Sequence, residues 1–128
     1  MSLPGLRLTP TPAQHSDPAA VGLLIEGAGR TVYLSGDTLY HDALAPRILA
    51  ILSGRRLDAA LVCINGRLGN MNVEDAARFM AELRPGLAVP MHYGLFAENT
   101  ADPNEFVMAC RAREQATRVL ELGETLSL

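Results

Sequence analysis

The chain has 128 residues, of which 48% are hydrophobic and 20% are charged, and its net charge at pH 7 is −3. This size and composition are typical of one globular domain and exclude a disordered chain. No apolar stretch approaches the roughly 20 residues of a membrane-spanning helix, and the arginines are scattered along the chain. We therefore expect neither a membrane nor a nucleic acid as a partner.

The cysteines and the first residues bear on where the protein works. Cys63 lies in an apolar run and Cys110 in a predicted helix, so we expect two buried free thiols rather than a disulfide or a metal pair. Free thiols favour a reducing, cytoplasmic location. Residues 1–4 have neither the basic region nor the apolar core of a signal peptide.

The N-terminal part of the chain is predicted to be rich in β-structure. A short strand near residues 6–9 precedes a loop that contains His15. Apolar runs at residues 20–26 and 31–34 are separated by Gly27-Ala28-Gly29, a composition typical of a hairpin turn.

Strands and helices are predicted to alternate in the rest of the chain. The expected elements are a helix at 42–53, a buried strand at 57–64, a helix from Asn72 to about Leu83, a strand at 87–91, a helix from Asp102 to about Ala116, and a closing pair of strands at 117–122 and 125–128. The starts of the second and third helices rest on the N-cap residues Asn72 and Asp102, whereas the first helix rests on its apolar spacing. We expect an α/β fold in one domain, a β-sheet with flanking helices.

Candidate metal ligands lie just after predicted strands. Asp37 follows the strand at 31–34, His92 follows the strand at 87–91, and His15 lies in the loop before the hairpin. Ligands gather at strand ends in α/β sheets, and a carboxylate with imidazoles suits a divalent transition metal. We predict that Asp37, His92 and His15 bind a metal.

Each of these residues also has a purely structural interpretation. Asp37 is also suited to an Asx turn in which its carboxylate caps backbone amides, whereas in a metal site we expect Thr38 to hydrogen-bond that carboxylate. His92 is equally suited to an ordinary position at a strand end, and His15 lies in a proline-rich loop. We expect His41 to be a surface residue or to support the site without binding metal.

The loop after the buried strand offers polar side chains for a substrate. Asn65, Arg67 and Asn70 lie there, and binding residues are concentrated in such loops. Arg67 suits a carboxylate or phosphate group because a guanidinium donates two parallel hydrogen bonds. The alternative is a solvated loop with Asn-Gly turn chemistry.

Several segments together resemble the metallo-β-lactamase superfamily. They are His15-Ser-Asp, the hairpin leading into Ser35-Gly-Asp-Thr, and Val89-Pro-Met-His-Tyr-Gly. Residues 64–72 and 91–105 look most like the branch that contains L-ascorbate 6-phosphate lactonase. The resemblance covers most of the chain and implies the C-terminal half of an αββα sandwich.

The resemblance implies a metal-dependent hydrolase. His15, Asp37 and His92 match its three later ligand positions, with Asp37 and His92 also catalytic, while the earlier His-x-His-x-Asp-His motif is absent from this sequence. The complete enzyme would use one or two Zn²⁺ or Mn²⁺ ions and an activated water to hydrolyse an ester or lactone in a small-molecule substrate. With half of the ligands, this chain is expected to be inactive alone.

Two other functions remain open from the sequence. One is a non-catalytic α/β module that forms a homodimer, or binds a missing N-terminal half, through an exposed apolar sheet face. The other is a small doubly wound domain that binds a phosphate ligand. It is disfavoured because no glycine-rich loop follows a strand with the required spacing.

Overall fold

A six-stranded mixed sheet and three helices form the structure, which is a computed structural model that describes residues 2–128. The elements in chain order are β1 (Ser2–Leu3), β2 (Leu6–Pro12), β3 (Val21–Gly27), β4 (Arg30–Leu34), α1 (Leu44–Leu52), β5 (Ala59–Cys63), α2 (Val73–Leu83), β6 (Leu87–Met91) and α3 (Pro103–Arg111). The strands lie side by side in sequence order, antiparallel from β1 to β4 and parallel from β4 to β6. The predicted α/β class is confirmed.

The hairpin between β3 and β4 closes where the sequence predicts it. Gly27 pairs with Arg30 across a two-residue turn. The turn residues Ala28 and Gly29 have φ values of 50° and 75°. Positive φ at both central positions is the geometry that matches the right-handed twist of paired strands.

One face of the sheet packs against the helices and forms the core. Leu24, Tyr33, Ala60 and Ala88 are neighbours across four adjacent strands and are fully buried. They belong to one hydrophobic cluster with buried side chains from α1, α2 and α3. Burial of this row against the helices is the main apolar contact of the fold.

The opposite face of the sheet carries a second apolar row. Leu23, Leu34, Leu61 and Val89 lie in register across the strands β3 to β6. The hydrophobic cluster that contains the helices includes none of these four side chains, and the three leucines are only half-buried. Val89 is buried, so the row is only partly exposed, and the expected association through this face stays a prediction.

The starts of α2 and α3 agree with the predicted caps, whereas α1 begins at Leu44 without a side-chain cap and the end of α3 differs from the prediction. Asn72 accepts a hydrogen bond from the Asp75 N–H at 2.8 Å, and Asp102 accepts one from the Asn104 N–H at 2.8 Å. The prediction that the last helix reaches Ala116 is wrong, since α3 ends at Arg111. The chain turns there because two following N–H groups, at 113 and 115, both donate to the carbonyl of residue 110.

The predicted closing pair of strands is also wrong. Thr117 forms a single parallel bridge with Ala88, in which the backbone of Ala88 hydrogen-bonds to the residues on either side of Thr117. Residues 118–128 contain no strand. The backbone then leaves the edge of β6 for a turn in which the Glu124 N–H donates to the Glu121 carbonyl at 3.0 Å. An alternating sequence does not form a strand without a neighbouring backbone to pair with.

The cysteines agree with the prediction of two buried free thiols. Cys63 and Cys110 are free and buried, and burial raises the pKa of the Cys110 thiol to about 12. None of the helices in residues 2–128 is long and apolar enough to cross a membrane.

Candidate functional site

The candidate site lies at the edge of the sheet where the parallel strands end. The loops after β4, β5 and β6 leave this edge together, and the loop from β2 to β3 joins them because β2 runs in the same direction as β4. These four loops bring His15, Asp37, Asn70 and His92 around a cavity of about 380 Å³. That volume is in the range of small-molecule sites.

Asp37 lies between two imidazoles. The distance from its Oδ1 to His92 Nδ1 is 3.2 Å, and the distance from its Oδ2 to His15 Nε2 is 4.0 Å. Gly36 positions the loop, because a Cβ at that residue would lie 2.7 Å from the Val21 carbonyl oxygen. Within the described residues, both polar contacts of this carboxylate are to histidines, so the Asx turn is not observed.

His15 is held in one tautomer by its neighbours. Its Nε2 lies 2.9 Å from the Leu68 carbonyl oxygen, and the Asp17 N–H donates to its Nδ1 at 3.2 Å. A carbonyl only accepts and an amide N–H only donates, so the ring proton is on Nε2. The side chain is 17% exposed. His15 is therefore packed against the loop after β5.

His92 faces Asp37 from a strained backbone. It follows β6 directly and has a φ of 64°, in the left-handed region that non-glycine residues rarely adopt. Such a conformation costs on the order of 1 kcal/mol and is concentrated at functional sites. The turn brings its ring to the same edge as the loop after β4.

Thr38 does not hydrogen-bond the Asp37 carboxylate, so that expectation is wrong. Its buried hydroxyl accepts a hydrogen bond from the Gln14 N–H at 2.9 Å and donates to the Leu39 carbonyl at 2.9 Å. Its own carbonyl accepts from the Met71 N–H at 2.9 Å. Thr38 thus ties together three of the loops that form the site.

The predicted substrate residues lie at different depths. Asn70 lines the cavity, whereas Asn65 is buried behind it and the exposed Arg67 is not part of the lining. Asn65 Nδ2 donates to Asn99 Oδ1 at 2.7 Å, and Asn99 does line the cavity. In the described structure the Oδ1 atoms of Asn65 and Asn70 are buried without a partner. Such atoms mark places where a water or ligand donates.

Asn99 and His41 remain to be compared with the sequence predictions. Asn99 was missed, because no spacing or turn signal distinguishes it from other loop amides; its only sequence signal is its place in the segment after His92. His41 does not line the cavity, and its carbonyl accepts the Leu44 N–H at the start of α1.

The donor set fits part of a metal site. Two imidazoles and a carboxylate suit Zn²⁺ or a similar ion, and two ligands of one tetrahedral ion lie about 3.4 Å apart, close to the 3.2 Å between Asp37 and His92. His15 Nε2 is instead engaged by Leu68. Among residues 2–128, no three His, Cys, Asp or Glu side chains are close enough to hold a metal by themselves.

Comparison with known proteins identifies the family. Residues 1–93 match the family model of the beta-lactamase superfamily domain. A UPF0173 metal-dependent hydrolase of Deinococcus radiodurans is 36% identical over 127 residues, which cover 92% of this chain and 53% of that protein. The chain therefore spans about half the length of this curated relative.

Solved structures agree with this result. Igni18, a metallo hydrolase of Ignicoccus hospitalis, superposes with a TM-score of 0.80 at 35% identity, covering 96% of this chain and 53% of that one. The metallo-beta-lactamase fold protein YhfI of Bacillus subtilis superposes with a TM-score of 0.72 at 16% identity, covering 94% and 48%, and shows the fold alone. The chain belongs to the beta-lactamase superfamily domain family and has the metallo-β-lactamase fold.

Proposed function

We propose that this chain supplies Asp37, His92 and His15 to the metal site of a hydrolase that cleaves an ester or lactone. The observation that carries the proposal is the Asp37 carboxylate with an imidazole near each of its oxygens. Support comes from relatives that are named metal-dependent hydrolases. The lactone chemistry follows the resemblance to the L-ascorbate 6-phosphate lactonase branch, which we retain as part of the proposal.

The ion we propose is Zn²⁺ or Mn²⁺. When bound, such an ion would lower the pKa of a coordinated water and polarise the carbonyl of the substrate. Asp37 is the residue best placed to bind or bridge ions, because both of its oxygens face imidazole nitrogens. His92 already lies beside it, whereas His15 must first release the Leu68 carbonyl and lose the proton on Nε2, because a metal binds the unprotonated nitrogen.

The chemistry proposed is hydrolysis with no cofactor besides the metal. Water adds to the carbonyl carbon, the acyl–oxygen bond breaks, and the proton of the water passes to the leaving alkoxide, giving an acid and an alcohol. Asn70 and Asn99 line the cavity where the substrate would lie. Asn65 lies behind Asn99 and positions it by donating a hydrogen bond to its side-chain oxygen. Arg67 contributes its carbonyl to this loop rather than its guanidinium.

The activity of the whole protein is part of the proposal. Because the described residues hold no complete set of metal ligands, we expect the additional ligands in the part of the relatives that this chain does not span. We therefore expect no hydrolysis by this chain alone. The buried free thiols favour a cytoplasmic protein, which we retain as an expectation.

The test is metal binding by the 128-residue chain. Purified chain is assayed for bound metal by plasma mass spectrometry and titrated with Zn²⁺ and Mn²⁺, beside Asp37→Ala and the control Asp42→Ala. Asp42 is a surface residue that pairs with Arg78 outside the cavity. Binding that is lost in Asp37→Ala and kept in Asp42→Ala supports the proposal. Equal metal binding by the chain and Asp37→Ala contradicts it.

The second apolar row of the sheet favours a second candidate function. Leu23, Leu34 and Leu61 lie outside the helical core and are partly exposed, and an apolar surface of this kind favours association. We propose a second copy of the chain as its occupant, which would make the chain a self-associating, non-catalytic module. Sedimentation equilibrium would show a dimer that Leu61→Arg dissociates and that Leu49→Arg, on an exposed part of α1, does not. A monomeric parent chain would exclude it.

A further inference from the structure

The rim of the cavity beside Asp37 is apolar although it faces solvent. Leu68, Leu95 and Phe96 line it, and they are 76%, 78% and 55% exposed. Leu68 keeps its side chain in this position from a left-handed backbone with a φ of 55°. Large apolar side chains grouped around a concave site typically mark the place where an apolar group binds.

The same lining offers little to an anionic group. Among the described residues, no arginine side chain lines the cavity, and the nearby Arg67 is exposed outside it. The chain contains no lysine. Within the part of the cavity that this chain forms, a phosphate or carboxylate would therefore lack the two-pronged cationic partner that such groups usually find, and in the metal-free chain it would face the Asp37 carboxylate.

Asn99 lines the cavity, and its side-chain oxygen is already engaged by Asn65. Asn65 Nδ2 lies 3.4 Å from the Arg67 carbonyl oxygen and 2.7 Å from Asn99 Oδ1. The carbonyl can only accept, so the Asn65 nitrogen is on that side and Asn99 must offer its oxygen to it. The Nδ2 of Asn99 is left to donate to a ligand in the cavity that Asn99 lines.

We propose that the cavity binds a neutral ester or lactone whose apolar tail lies against Leu68, Leu95 and Phe96 and whose carbonyl oxygen accepts a hydrogen bond from Asn99 Nδ2. This inference rests on the proposed hydrolase function and narrows its substrate class. Each part of the ligand has its own contact: the apolar rim recognises the tail, and the side-chain amide of Asn99 recognises the carbonyl group.

The experiment measures lactone binding by the metal-free 128-residue chain, so that no hydrolysis interferes. The probes are γ-decalactone and γ-butyrolactone, which share a ring and differ in a hexyl tail, and L-ascorbate 6-phosphate as an anionic lactone. Binding is followed by the amide resonances of the chain, including the Asn99 side-chain NH₂. We expect γ-decalactone to bind at least about tenfold more tightly than γ-butyrolactone, since its tail leaves water.

Three variants separate the two contacts. Leu95→Ser with Phe96→Ser should reduce γ-decalactone affinity to the level of γ-butyrolactone and leave the latter unchanged. Met108→Ser, an equally exposed apolar residue on α3, should change neither. Asn99→Asp keeps an oxygen for Asn65 but removes the donor, so it should weaken both lactones about three- to tenfold, the range of one hydrogen bond.

The inference is overturned if neither lactone binds, if the tail makes no difference, if L-ascorbate 6-phosphate binds more tightly than γ-decalactone, or if Asn99→Asp changes nothing. Its failure is distinct from failure of the proposed function, because the probes are tested without metal. A chain that shows this lactone preference but binds Zn²⁺ equally with and without Asp37 contradicts the metal site alone. A chain that binds Zn²⁺ and shows no preference contradicts the substrate class alone.

Discussion

His15 donates a hydrogen bond from Nε2 to the main-chain carbonyl of Leu68 at 2.9 Å, joining the loop after β2 to the loop after β5. The same nitrogen lies 4.0 Å from the Asp37 carboxylate. His15 therefore has two competing partners on one atom, the Leu68 carbonyl and any ion bound beside Asp37. Its availability as a ligand depends on the loop that contains Leu68.

The first prediction concerns Gly69, which packs against the ring of His15. A Cβ at Gly69 would lie 2.8 Å from His15 Cδ2, so Gly69→Ala should displace the ring and weaken Zn²⁺ binding about tenfold, a typical effect of a residue that orients a ligand. Gly29→Ala is the control, because Gly29 also has a positive φ but has open space around it. Calorimetric titration makes the comparison. Equal affinities in the two variants would show that His15 is not a ligand.

The second prediction concerns Thr38, whose buried hydroxyl accepts the Gln14 N–H. Thr38→Val keeps the shape but leaves that N–H without its partner, and we expect a loss of about 1–3 kcal/mol in the free energy of unfolding. Thr38→Ser keeps the hydroxyl and is the matched control. Urea unfolding measures both. A valine variant as stable as the serine variant would mean that the hydroxyl does not hold the loop.

Strands β2 to β6 and the two capped helices could be predicted because their signals are local. Asn72 and Asp102 cap α2 and α3 through hydrogen bonds within three residues of themselves. The hairpin turn at Ala28-Gly29 is equally local. The end of the chain was not predictable in this way, since Thr117 pairs with Ala88 by a single bridge that depends on where the chain leaves β6.

In the candidate site, too, local sequence signals were predictive and contacts between distant residues were not. Asp37 and His92 could be identified because each follows an apolar run, and parallel strands bring their ends to one edge. The roles of Thr38 and Asn99 could not, because their partners lie 24 and 34 residues away in sequence. A hydroxyl or amide in a loop has no pattern that reveals which distant backbone or side chain it will meet.

The third prediction tests the core between the sheet and α2. Phe79 is fully buried, and its ring meets Tyr33 edge-on at 5.9 Å and Tyr40 at 6.4 Å between centroids. Phe79→Ala should therefore lower the free energy of unfolding by about 3–5 kcal/mol, through lost burial and the cavity left behind. Phe96→Ala, at the exposed rim, should change it by less than about 0.5 kcal/mol. Similar losses in both variants would contradict this packing.

The last prediction concerns pH. The Thr31 N–H donates to the Asp58 carboxylate at 2.9 Å, and with Arg30 beside it this holds the pKa of Asp58 below its usual value. The unfolded chain then binds the proton more readily, so the stabilisation is present above about pH 4 and is lost as the pH falls through the folded pKa.

Asp58→Asn should therefore be less stable than the parent chain at neutral pH, and the difference should disappear in acid. Urea unfolding midpoints measured from neutral pH down to about pH 3 test this, with Asp42→Asn as a control because Asp42 lies on the surface beside Arg78. A difference that is the same at every pH would assign the effect of Asp58 to its hydrogen-bond geometry rather than to its charge.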